Sequence, residues 1–111
     1  MKVTPLIAAA AAVFAFSMPA GAAVDADAAN KMLKDDGCTK CHSVDKDKKG
    51  PSFKKTAAKY KGKADAEATL TTFVTTGPKV KMDDGTQEEH KQLKTKDAAQ
   101  VKNMVQFILS Q

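Results

Sequence analysis

Five consecutive residues, Cys38-Thr39-Lys40-Cys41-His42, hold both cysteines of the 111-residue chain and one of its two histidines. Thiols three residues apart lie about one helical turn from each other, so each can add its S–H across a vinyl group of one porphyrin. The adjoining imidazole is then close enough to ligate the iron. The motif points to a single covalent c-type haem, bound through Cys38, Cys41 and His42, with His42 an iron ligand. Three other uses of the cysteines are weaker. A disulfide across so small a loop would cross-link little of the chain, a thioredoxin-like pair would want strands around it, and zinc would need a second ligand pair at suitable spacing.

Short helices must position this motif. A helix is expected over Asp25 to Asp36, capped by Asp25 or Asp27, with Ala29, Met32 and Leu33 as its apolar stripe and Gly37 as its stop. The charged, turn-rich run from Ser43 to Phe53 reads as a loop. Further helices are expected over Phe53 to Lys61 and Ala64 to Thr75, the latter ended by Gly77-Pro78. From Lys79 to Lys94 no helical period survives, and Asp84-Gly85 signals a turn, so an irregular or hairpin-like segment fits. A last amphipathic helix follows, with Thr95 as the expected N-cap and Val101, Met104, Val105, Ile108 and Leu109 on its apolar face, Phe107 beside them. The fold class is all-α.

The first residues bear on compartment. Lys2, the apolar run Leu6 to Phe16 and the small residues Ala20 to Ala23 have the order of a secretory signal peptide. The run is well short of the roughly 20 residues that cross a bilayer. Residues 1–23 are therefore expected to be removed after Ala22 or Ala23, leaving one exported domain over residues 24–111 with no membrane span. That domain is small, has no Trp and has a single Tyr60, so a core of side chains alone would be thin and a large cofactor would help fill it. It carries 17 lysines against 13 acidic residues and no arginine. Without arginine, bidentate phosphate and base-edge recognition is disfavoured and no nucleic-acid partner is expected. Lysines suit weak, salt-sensitive docking to acidic partners, and serve solubility equally well.

In order, these features (helix, C-x-x-C-H, Gly50-Pro51, middle helix, loop, final amphipathic helix) resemble the small bacterial class I cytochromes c over almost the whole exported region. The resemblance implies a class I cytochrome c-like fold wrapped around one haem c. It also implies a proximal imidazole that hydrogen-bonds the Pro51 carbonyl, and terminal helices that cross with Leu33 against Met104 and Phe107. The protein would be a soluble, monomeric, periplasmic one-electron carrier and not an enzyme, docking transiently on redox partners through their acidic patches. Lys40, Lys46, Lys48 and Lys49, around the motif, would steer those partners.

In that family the sixth iron ligand is usually a methionine in the loop before the last helix, which here is Met82. Met82 precedes Thr95 by 13 residues, about twice the distance found in short-loop members, whereas His90 precedes it by five. Spacing favours His90, which would make a bis-histidine variant of lower potential. Family habit favours Met82. An open sixth position would instead make a haem-based gas sensor or a haem enzyme, although no distal arginine exists to polarise a bound peroxide.

Overall fold

The computed structural model describes residues 23–111, so the expected signal peptide lies, but for Ala23, outside the described residues. Four helices follow in order: α1 (Ala26–Asp35), α2 (Phe53–Tyr60), α3 (Ala66–Thr76) and α4 (Ala98–Leu109). A short 3-10 turn (Cys38–Lys40) follows α1, and an antiparallel hairpin, β1 (Lys79–Lys81) and β2 (Gln87–Glu89), precedes α4. The fold is all-α in its core, as expected. The hairpin is the regular part of the segment for which no helical period could be read.

Local chemistry sets the boundaries. The Asp25 carboxylate accepts the Ala28 N–H at 2.9 Å and starts α1. Gly37, in the left-handed region at φ +73°, turns the chain out of it. Helix α4 departs from expectation, because its cap is Asp97 and not Thr95. The Asp97 side chain accepts the Gln100 N–H at 2.9 Å, while Thr95 supports the cap from outside the helix by accepting the Asp97 N–H at 3.1 Å. Helix α3 starts at Ala66, two residues later than expected. Residues 63–65 are instead spent on a turn in which the Ala66 N–H reaches the Lys63 carbonyl at 3.2 Å.

Helix α4 is the central element and packs on α1, α2 and α3. Its Val101, Met104, Val105, Phe107 and Ile108 join Ala29 and Leu33 of α1, Phe53, Leu70 and the loop residue Leu93 in one buried cluster. Leu33, Met104 and Phe107 thus share a core, as the expected crossing of terminal helices requires. Burying side chains of this kind is worth roughly 1.5–3 kcal/mol each. The α1–α4 crossing is pinned at its open end, where Asn103 accepts from the Asp25 N–H at 2.8 Å and donates to the Asp25 carbonyl at 2.9 Å. Among the described residues no helix is long and apolar enough to cross a membrane.

Candidate metal centre

The Cys38 carbonyl accepts two backbone N–H groups, from Cys41 at 3.2 Å and from His42 at 2.9 Å. That single turn gathers both thiols and the imidazole within a helix-like stretch. Both cysteines are half-buried and form no disulfide with each other. Burial pushes the Cys38 thiol up, and the neighbouring Asp36 carboxylate adds to the effect. A thiol held protonated is a poor exchange nucleophile, which weighs against a thiol-disulfide role. The elements flanking the motif are also wrong for that role, since α1 leads in and a loop to α2 leads out.

His42 is fixed from three sides. Its Nδ1 lies 2.7 Å from the Pro51 carbonyl oxygen. A carbonyl can only accept, so Nδ1 carries the proton and Nε2 keeps the free lone pair a metal needs. Phe53 stacks on the ring with centroids 5.5 Å apart and planes 20° from parallel. On another side the Gly50 backbone presses so close that an added Cβ would sit 2.4 Å from His42 Cε1 and 2.9 Å from both ring nitrogens. The pair Gly50-Pro51 is therefore more than a turn, since the glycine makes room for the ring and the proline carbonyl orients it. The Gly50 N–H also donates to the Cys41 carbonyl at 2.8 Å, closing the loop back onto the motif.

His90 arrives from the hairpin. The strands pair Lys79 with Glu89, Val80 with Glu88 and Lys81 with Gln87, and the ladder continues as the His90 N–H donates to the Pro78 carbonyl at 2.9 Å. Its ring meets Phe73 of α3 edge-on, with centroids 4.7 Å apart. Its Nδ1 lies 2.9 Å from the Lys91 carbonyl, so here too the proton sits on Nδ1 and Nε2 is left with the lone pair. Burial, against the opposing bond to the Lys91 carbonyl and with the nearby His42 adding to it, holds the His90 pKa below the usual imidazole value.

The two imidazoles, far apart in sequence, come to 6.0 Å between ring centroids, tilted by 45°. Two imidazoles ligating one metal from opposite sides, at about 2 Å per metal–nitrogen bond, have centroids roughly 6 Å apart. The spacing and both tautomers therefore suit one iron between His42 and His90. Met82 lies elsewhere, at the hairpin turn, where its N–H bonds the Thr86 carbonyl at 2.7 Å and its carbonyl accepts from Gly85 at 3.0 Å. Four residues of strand, on the order of 13 Å, separate that level of the hairpin from the level of His90. Sequence reasoning missed the two aromatic supports, Phe53 and Phe73. The only available signal was their position, just after Gly50-Pro51 and just before Gly77-Pro78.

Residues 26–111 match the cytochrome c family, and the chain belongs to it. Its cofactor is accordingly a covalent c-type haem with iron, and the chain is a small monohaem cytochrome of the class I type. Among solved structures it is similar to the class 1 cytochrome MtoD of Sideroxydans lithotrophicus ES-1, at 54% identity and a TM-score of 0.76, over 79% of this chain and 97% of that one. Nitrosomonas europaea cytochrome c552 is more distant, at 27% identity and a TM-score of 0.60, over 73% and 96% of the two chains. Cytochrome c-551 of Azotobacter vinelandii is 43% identical over 47 residues, which are 42% of this chain and 57% of that cytochrome. Cytochrome c-551 of Pseudomonas aeruginosa is 41% identical over 46 residues, 41% and 44% of the two chains. The chain spans about half the length of these curated relatives.

Proposed function

We propose that this cytochrome is an exported, periplasmic, monomeric one-electron carrier in which Cys38 and Cys41 hold the haem by thioether bonds and His42 and His90 ligate the iron from opposite faces. The observation that carries this reading is the pair of imidazoles 6.0 Å apart, each with Nδ1 engaged by a backbone carbonyl and Nε2 left to ligate. The haem supplies a one-electron couple between ferric and ferrous iron. The residues keep that couple simple. Pro51, Gly50 and Phe53 hold His42 in one orientation, while Phe73 and the Lys91 carbonyl do the same for the His90 ring. With an imidazole held in one preferred orientation on each side, an electron would come and go with little rearrangement. Small molecules find no vacant coordination position, which favours a carrier over a sensor or an enzyme.

Partner docking in this reading is transient and electrostatic. Of the lysines around the motif, Lys40 and Lys46 are exposed and offer their charge to acidic groups of a partner. Lys48 is turned back onto the Thr39 carbonyl at 2.9 Å, and Lys49 is already paired with Glu88, so these two offer less than the sequence suggests.

The ligand assignment is tested by optical and magnetic spectra of the wild type, His90→Ala and Met82→Ala. The expected result is a six-coordinate low-spin iron in the wild type and in Met82→Ala, and loss of that signature in His90→Ala with recovery on adding imidazole. Low-spin spectra unchanged in His90→Ala but lost in Met82→Ala would overturn it. Rapid CO binding by the reduced wild type would instead favour a gas-binding haem protein.

A further inference from the structure

Four ion pairs occur among the described residues, and three of them are local. Lys31 pairs with Asp35 within α1, Lys54 with Asp45 and Lys55 with Asp47 around the loop that leads into α2. The fourth joins segments far apart in the chain, Lys49 Nζ to Glu88 Oε2 at 2.8 Å. Lys49 immediately precedes Gly50, whose backbone presses on the His42 ring. Glu88 lies in β2, two residues before His90. The pair therefore ties the loop that holds one imidazole to the strand that delivers the other.

That strand has little else to hold it. Its sheet has two strands only, every residue of β2 is exposed, and a two-stranded ribbon is marginal by itself in water. Beyond His90 the chain is secured again, by the Gln92 side chain on the Thr76 carbonyl at 3.0 Å and by the buried Leu93, whose N–H bonds the Val74 carbonyl at 3.0 Å. We infer that Lys49 and Glu88 form a clasp across the haem site that keeps the hairpin closed and His90 on the iron, so that opening of the sixth position is governed by an ion pair on the surface. Both side chains are about half exposed. A pair so exposed is weak and is screened by salt, which suits a clasp that opens readily and not a structural anchor.

The inference rests on His90 being the sixth ligand. CO association with the reduced holoprotein, measured at 10 mM and 1 M NaCl, reads how often His90 leaves the iron. Glu88→Lys sets two ammonium groups against each other, and the expected result is CO association about three- to tenfold faster than wild type at low salt, the difference collapsing at high salt. The charge swap Lys49→Glu/Glu88→Lys should bring the rate back to near wild type, with thermal melting midpoints of all three proteins close together. An unchanged rate in Glu88→Lys, no recovery in the swap, or melting midpoints that fall in step with the rates would each overturn the clasp. The His90→Ala spectra separate this failure from failure of the ligand assignment. If that variant stays low-spin the assignment falls and takes the clasp with it, whereas a loss of low-spin iron there beside an unresponsive Glu88→Lys sinks the clasp alone.

Discussion

The two faces of the haem site are built in opposite ways. On the proximal face, Cys38 to Pro51, everything that matters is close in sequence. One 3-10 turn sets the thiols and His42, and the loop returns within a few residues to put Gly50 and Pro51 against the ring. On the distal face, Gly77 to Leu93, His90 owes its place to remote groups: the Pro78 carbonyl across the hairpin, Phe73 on α3, and Glu88 reaching back to Lys49. A short loop crowded by its own backbone has few conformations to lose and few ways to err. An exposed hairpin held by one ring, one exposed ion pair and, beyond His90, by Gln92 and the buried Leu93 is the softer half, and opening is expected to begin there.

Removing the anchor on each side gives the largest contrast. In Cys38→Ala/Cys41→Ala the haem mass should no longer survive denaturation of the chain. Most of the native helicity should go with it, because a domain this small with one tyrosine and no tryptophan has little core to spare. His90→Ala, by comparison, should keep the covalent haem mass and a near-native far-ultraviolet spectrum, and lose only the sixth ligand that we propose His90 supplies. Mass spectrometry and circular dichroism on the two proteins check this together. Equal loss of helicity in both would mean that the distal face organises the fold as much as the proximal one does.

A pair of glycines sharpens the comparison at a finer level. A Cβ on Gly50 would meet the His42 ring at 2.4 Å, and a Cβ on Gly77 would meet the His90 backbone carbonyl at the same distance. The consequences differ. Gly77 also sits at φ +60°, where a side chain costs about 1–2 kcal/mol, and its obstacle is backbone. Gly77→Ala should therefore lower stability by about 2–3 kcal/mol, read as a fall in melting temperature, because the whole hairpin must shift. Gly50→Ala meets a side chain, so the ring itself must tilt. The expected signature is a displaced reduction potential and altered axial-ligand spectra with a smaller loss of stability, near 1 kcal/mol. A reversed order of stability losses would show the proximal loop to be the softer half.

The same division explains how much could be read in advance. Cys38, Cys41, His42 and the Gly50-Pro51 pair are legible because their geometry is encoded in one short stretch, Cys38 to Pro51. Helix existence was legible too, from apolar spacing, and so was the shared core of Leu33, Met104 and Phe107 once the helix order resembled a known family. The cap of α4 was misread by two residues because Thr95 and Asp97 both carry an oxygen able to cap, and only the backbone path decides which one meets an open N–H. The distal side was legible only as a choice between His90 and Met82. Spacing before the last helix pointed to His90, but what brings that ring to 6.0 Å from His42 is strand register and the edge of Phe73. Neither has a local sequence signature. The Lys49–Glu88 pair could not be read for the same reason, and Lys49 looked like one more steering charge.

The smallest expected difference concerns two aspartates that staple the two faces. On the proximal side the Asp47 carboxylate accepts the Ser52 N–H at 2.8 Å and the Lys55 ammonium at 3.0 Å, and those bonds, the backbone one foremost, hold its pKa below the ordinary carboxylate value. On the distal side Asp84 accepts the Thr86 hydroxyl at 2.6 Å and the Thr86 N–H at 2.9 Å, and its pKa is lowered likewise, by the hydroxyl foremost. A carboxylate whose folded pKa lies below its unfolded one, near 4, adds stability that is fully present above pH 4 and fades as pH falls through the folded value. Asp47→Asn and Asp84→Asn should therefore each melt slightly below wild type at pH 7 and draw level with it near pH 2. Both aspartates lie on the surface, where solvent screens their bonds, so the effects on stability are small. They should nevertheless differ in kind. Asp47 joins the proximal loop to the first turn of α2, so its loss should also move the reduction potential through Pro51 and His42. Asp84 bonds only within its own turn, at the far end of the hairpin from His90, and beyond that turn it feels the charge of Lys49, so its loss should move the potential less than loss of Asp47 does. Voltammetry on the two variants decides this, and an equal shift in both would mean that the hairpin turn is coupled to the iron as tightly as the proximal loop.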